Sequence, residues 1–185
     1  MSTLPTQPPA DDPPADDKDW TWVLERPCPD CGFVARDCPP QDVARLLRRH
    51  ATAWKAVLDR PDARNRPAEA VWSPLEYGCH VRDCCAVFDE RVRLLLAEPD
   101  PQFANWDQDA TARDKQYHAA DLDQVAAEIA LCATTFAATL DSVGDGQWDR
   151  TGRRSNGSVF TVATLTQYFA HDLVHHGWDV GVQVE

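Results

Sequence analysis

Apolar residues recur at helical spacing in four stretches of this chain. From about Gln41 to Asp59, Val43, Leu46, Leu47, Trp54, Val57 and Leu58 form one stripe, with His50 on the same face. Intervals of three and four residues predict an amphipathic helix. The second stretch opens at Ser73-Pro74 and runs to about Ala97, ahead of Pro99 and Pro101. A serine N-cap, a proline at the first helical position and Glu76 three residues after the cap are a helix-start signature. The third covers about Asp121 to Val143, with Leu122, Val125, Ile129, Cys132, Phe136, Leu140 and Val143 in register, and Gly144 and Gly146 end it. The fourth spans about Thr161 to Val180.

The connections refine this picture. A short, polar, proline-containing stretch joins the first two helices. More than 20 residues, about Glu98 to Ala120, separate the second and third. A long crossover lets a four-helix bundle depart from simple up-down order. No strand pattern and no internal repeat is legible. The expected fold is all-α, a four-helix bundle with a long crossover between the second and third helices and an irregular N-terminal arm. Residues 1–19 (MSTLPTQPPADDPPADDKD) read as a disordered acidic, proline-rich tail, residues 20–40 as an arm packed on the bundle, and residues 41–185 as the bundle itself. Trp20, Trp22, Val23, Leu24 and Phe33 make the arm too apolar to leave in water.

Charge narrows the function classes. Eighteen Lys and Arg against 30 Asp and Glu give a net charge of −12. Without a basic stripe the chain is a poor partner for nucleic acid or an anionic membrane surface. No apolar run reaches the roughly 18 residues of a spanning helix. The N-terminus lacks the features of an export signal, so the expected location is cytoplasmic. Seven cysteines then read as reduced thiols, not as a disulfide framework.

Candidate chemistry sits in the histidines. His171 and His175 are four apart on the fourth helix and share a face, with Thr164, Tyr168 and Trp178 beside them. His80 lies on the inward stripe of the second helix with Cys84, Val87 and Leu94. Three imidazoles from two facing helices leave positions open on a metal, as catalytic sites require. Core histidines satisfied by packing are the competing reading. His176 points about 100° away from His175 and is left out. The other apolar face of this helix, Leu165, Phe169, Leu173 and Val180, is a candidate homodimer surface unless the third helix or the arm covers it.

Trp72 to Asp83 (WSPLEYGCHVRD) and His171 to Val180 (HDLVHHGWDV) resemble the signature segments of the DinB superfamily, including its mycothiol-dependent maleylpyruvate isomerase-like branch. Phe103 to Asp109 (FANWDQD) and Thr151 to Leu165 (TGRRSNGSVFTVATL) are similar to the same branch. The resemblance spans about Asp42 to Val180. It implies a four-helix bundle with a three-histidine divalent metal site whose ligands are His80, His171 and His175. It also implies activation of a low-molecular-weight thiol such as mycothiol. Zinc is the expected metal, with nickel another that imidazoles suit. The partners are then a small thiol and an electrophilic substrate, and the activity is a transferase or isomerase. A non-catalytic metal- or ligand-binding module is the alternative.

Other residues extend the candidate set. Cys28-Pro-Asp-Cys31-Gly has the form of a zinc-knuckle turn without its second half; Cys38 is a candidate third ligand, and a redox dithiol or spectator thiols are the other readings. Arg153 and Arg154 either clamp a carboxylate or form a surface loop. Asn105 and Trp106 either cap a cavity or cover the core. Asp83 and Asp172 either orient imidazoles or are solvated helix charges. No residue is singled out as the catalytic acid, base or nucleophile.

Overall fold

The computed structural model describes residues 19–182. The acidic tail, apart from Asp19, lies outside them. Four long helices form the bundle: α1 (Val43–Leu58), α2 (Pro74–Ala97), α4 (Leu122–Asp141) and α5 (Val162–Asp179), with a short α3 (Gln108–Asp114) in the crossover. Their bounds follow from local chemistry. At α2, Ser73 Oγ accepts from the Glu76 N–H, and Glu76 Oε2 accepts from the Ser73 N–H at 2.8 Å. Arg66 braces the same carboxylate through Nε at 2.9 Å. Asp121 caps α4 and Thr161 caps α5. Arg150 donates to the carbonyls of Leu95 and Glu98, satisfying the open C-terminus of α2.

The packing order departs from chain order. Helices α1 and α2 each lie along both α4 and α5, while α1 and α2 touch sparsely. Helices α1 and α2, though consecutive in the chain, therefore sit diagonally across the bundle. The connection over residues 59–73 is accordingly longer than a tight turn between neighbouring helices. The core is continuous. Trp54, Phe88, Phe136, Phe160 and Phe169 are fully buried, and Phe136 meets Phe169 edge to face at 4.8 Å.

One element escaped the sequence reading. Strands β1 (Gln102–Phe103), β2 (Thr151–Arg154) and β3 (Val159–Thr161) form a small sheet in the order β1-β2-β3, parallel then antiparallel. Strands of two to four residues carry too few positions to show a two-residue period. The sheet ties the crossover to the segment leading into α5. A Cβ on Gly152 would come within 2.5 Å of Leu95 Cδ1, so β2 lies against α2 only because that residue is glycine.

The arm is built of 3-10 turns, Trp20–Leu24, Ala35–Asp37 and Pro40–Asp42. It packs on α5, whose Gln167 side chain donates to the carbonyls of Ala35 and Cys38. Leu165, Phe169, Leu173 and Val180, the candidate dimer surface, are all buried within the chain. That face is covered by the chain's own elements and is not a subunit surface. None of the described helices is long and apolar enough to cross a membrane.

His50 is buried on the α1 stripe with its Nδ1 unpartnered. Burial and the nearby Arg49 push its pKa from 6.5 down to about 4. The folded state keeps the ring neutral, whereas the unfolded chain takes up a proton below its own pKa. Stability from this group is therefore full above about pH 6.5, falls as pH drops toward 4, and levels off below. The limit is about 3 kcal/mol. Urea unfolding at pH 7 and pH 4.5 should show a steeper loss in the native protein than in His50→Leu; equal losses in both would refute it.

Candidate functional site

Helix α5 carries the run His171-Asp-Leu-Val-His175-His176, which holds two pairs at i, i+4 offset by one residue. The offset turns them about 100° apart, onto adjacent faces. Both faces meet something polar.

The first face, His171 and His175, meets the arm. Cys28, Cys31, His171 and His175 place one donor atom each within 4.8 Å of one another. Cys28 Sγ lies 3.5 Å from His175 Nδ1. Trp20 stacks on His171 and Phe33 meets the same ring edge-on. Neither nitrogen of the buried His171 ring has a hydrogen-bond partner. Its neighbours Asp172, Cys31 and Cys28 are all acidic groups, and they outweigh burial and raise its pKa. Burial disfavours the Cys28 thiolate, but the Cys31 and Asp30 backbone amides and His171 overcome that and lower its pKa.

The second face, Asp172 and His176, meets α2. The His80 and His176 rings stand perpendicular with centroids 4.6 Å apart. Cys84 Sγ lies 3.3 Å from His80 Nε2 and 4.0 Å from Asp172 Oδ2. His80 is 1% exposed, and its Nδ1 has no partner. Asp179 Oδ2 sits 2.9 Å from His176 Nδ1 and leaves the other ring nitrogen for a further partner. Trp106 stacks on His80 at 5.4 Å, and Trp72 adds a second indole wall. Burial would raise the Asp172 pKa, yet His171, His176 and His80 together hold it low. Burial and Asp172 push the Cys84 thiol well up, so it stays protonated.

Two buried guanidiniums complete this cell. Arg91 of α2 donates to the Ala104 carbonyl and lies over Phe88 and Phe103. It pairs with no carboxylate among the described residues. Arg154 of β2 lies over Phe160 and Tyr168 and donates to Asn156 and Ser158, with Asp19 3.8 Å away. Burial and Arg154 lower the Arg91 pKa, which marks the two cations as neighbours.

The structure thus divides the expected His80–His171–His175 set. His171 and His175 stand with Cys28 and Cys31, while His80 stands with His176, Cys84 and Asp172. Cys38 is not a member of the first group. Asp83 orients no imidazole; it binds Arg82, Lys115 and Tyr117. Asp172 lies between the faces, 3.8 Å from His171 and beside Cys84. Arg153 points outward to Asp100, and exposed Asn105 uses its backbone N–H to reach Ser155. Trp106 stacks on His80, and Arg154 lies over the Tyr168 ring. The sequence alone did not bring His176, Asp179 or Arg91 into this neighbourhood. Arg91 carried a signal, since it continues the helical stripe of His80 and Cys84.

A family model described as the DinB superfamily matches residues 46–180. No curated protein matches. Among solved structures the chain is similar to YfiT from Bacillus subtilis, described as a probable metal-dependent hydrolase with an unusual four-helix bundle topology. The TM-score is 0.69 at 18% identity, over 77% of this chain and 85% of that one.

Proposed function

Since the chain belongs to the DinB superfamily, we propose that it is a metal-dependent enzyme whose working centre is the cell between α2 and α5, with His80, Asp172 and His176 as the metal ligands. The observation that carries this reading is the perpendicular meeting of the His80 and His176 rings at 4.6 Å, with an unpartnered buried nitrogen on His80 and with Cys84 in contact with both His80 and Asp172. Two imidazoles and a carboxylate suit a divalent ion and leave coordination positions open. A divalent ion there would lower the pKa of a bound thiol or water and polarise a substrate oxygen.

The chain's own residues do the rest. Asp179 fixes the tautomer and orientation of the His176 ring. Trp72 and Trp106 keep bulk water from His80. Arg91 and Arg154 supply donors for a carboxylate on the substrate, since neither is consumed by a close ion pair. Burial and Asp172 disfavour the Cys84 thiolate, so Cys84 is not assigned as the nucleophile. The nucleophile comes from outside, and a low-molecular-weight thiol such as mycothiol attacking an anionic electrophile gives a transferase or isomerase. Water in the same role gives hydrolysis.

Metal content tests the ligand set. His80→Ala and His176→Ala should each remove one equivalent of metal relative to the native protein. If His176→Ala leaves the content unchanged, the ligands are not those named here. Consumption of an anionic electrophile that requires added thiol supports the transferase or isomerase reading. Thiol-independent turnover supports hydrolysis, and full metal without turnover supports a binding module.

A further inference from the structure

A second group of ligands stands outside the cell between α2 and α5, and the geometry points to its being a distinct, structural metal site: Cys28, Cys31, His171 and His175 enclose one divalent ion that clips the N-terminal arm to α5. Four donors from four side chains lie within 4.8 Å of one another, two sulfur and two nitrogen. A tetrahedral ion with soft and borderline ligands fits that set, and zinc meets both conditions. With every position filled by protein, the site has no place for substrate, unlike the neighbouring cell.

Each half of the site is preformed. In the arm, the Cys28 N–H donates to Phe33 O and the Gly32 N–H donates to Cys28 O, closing a tight turn. Gly32 has φ +73°, a backbone conformation that glycine adopts without strain and that lets the turn fold back under the sulfurs. On α5, the i, i+4 spacing presents two imidazoles on one face. Cys28 and His171 are 1% and 2% exposed, while Cys31 and His175 are half-buried, so two of the four ligands are withdrawn from water before any ion arrives. Both His171 nitrogens lack a hydrogen-bond partner at that depth, which is costly unless something else binds there. Binding releases the two thiol protons to solvent, and no electron is transferred. Two thiolates, two neutral imidazoles and a divalent cation sum to zero charge, which suits a buried site.

The location gives the site its role. The ion would tie residues 28 and 31 to residues 171 and 175 and so close a loop over most of the chain. The adjacent face of the same helix turns carries Asp172 and His176. Filling the clip therefore fixes the rotation of α5 that presents those residues to His80.

The full-length protein loaded with cobalt(II) tests this. Thiolate-to-cobalt charge-transfer absorption with tetrahedral intensity should appear in the native chain and in His80→Ala, and vanish in Cys28→Ser/Cys31→Ser. Zinc content should fall by one equivalent in the cysteine variant and by a separate equivalent in His80→Ala. Failure of either loss leaves the other interpretable, so the two sites are judged separately. If the double variant does not fold, the spectrum of the native chain and limited proteolysis decide. Stripping zinc from native protein should speed cleavage at Arg26 and Arg36 by about tenfold or more, and zinc should restore protection. A native cobalt spectrum without thiolate bands would overturn the proposal. So would mild oxidation that consumes both thiols with no loss of metal.

Discussion

Replacing Asp179 with alanine should weaken metal binding in the α2–α5 cell by roughly 10–100-fold, and activity should fall with it. Asp179 touches neither His80 nor Asp172 directly. It acts through the 2.9 Å contact with His176 Nδ1, which fixes a ring whose centroid stands 4.6 Å from that of His80. Both residues are partly shielded from water, with side chains 18% and 17% exposed, so the contact is not screened away. Losing it frees the ring to rotate and makes the imidazole a weaker donor. The checks are titration with zinc against a competing chelator and turnover measured against metal concentration. Excess metal should restore much of the rate in Asp179→Ala but none in His176→Ala. Unchanged affinity in Asp179→Ala would show that the ring needs no such support.

Asp83→Ala should cost about 3 kcal/mol of stability, the largest loss expected from one surface-remote polar change. The carboxylate is buried and collects Arg82 Nε at 2.9 Å, Lys115 Nζ at 3.0 Å and the Tyr117 hydroxyl at 2.6 Å. Lys115 is half exposed and contributes little. Arg82 keeps Glu128 as a partner after the change. The main cost falls on Tyr117, which is 2% exposed and loses the acceptor for its hydroxyl. The Tyr117 ring also joins the α3–α4 junction to α2. Burial alone would raise the Asp83 pKa, but Arg82, Tyr117 and Lys115 hold it low. Its contribution is thus present above the ordinary carboxylate pKa and disappears as acid titrates the folded state. Denaturant melts at neutral pH should show a lower midpoint with an unchanged slope. A shift under about 0.5 kcal/mol would mean that water replaces the carboxylate at no cost.

The fold was legible wherever a residue's role repeats along a helix. The stripe Val43, Leu47, Trp54, Val57 and the capping box at Ser73 and Glu76 determine where α1 and α2 run. The resemblance of the segments around His80 and His171 pointed to the family. What escaped was of two kinds. The three short strands have no period to read. At the site, the helical wheel of α5 puts His176 among leucines, about 100° from His175. Apart from Trp178, α5 has no exposed residue, and a helix buried nearly all round shows little apolar–polar contrast to separate its faces. The pairing of His171 and His175 with Cys28 and Cys31 joins segments over 140 residues apart in sequence. No local pattern encodes such a contact, although the Cys28–Cys31 turn has the form of a zinc knuckle without its second half.

The diagonal placement of α1 and α2 has a consequence for synthesis. As the chain leaves the ribosome, α1 and α2 emerge first but have little surface to offer one another. Their partners, α4 and α5, come later, and the partner of the arm is α5. The nascent first half must therefore keep apolar faces such as Leu47–Trp54 and Phe88–Leu95 waiting in water. Loop-closure entropy is spent before these faces find cover, so folding leans on distant contacts and is slower than in a bundle of successive hairpins. A transient apolar intermediate of that kind is what holding chaperones bind. The arm packs on α5, so it stays undocked until α5 has been made.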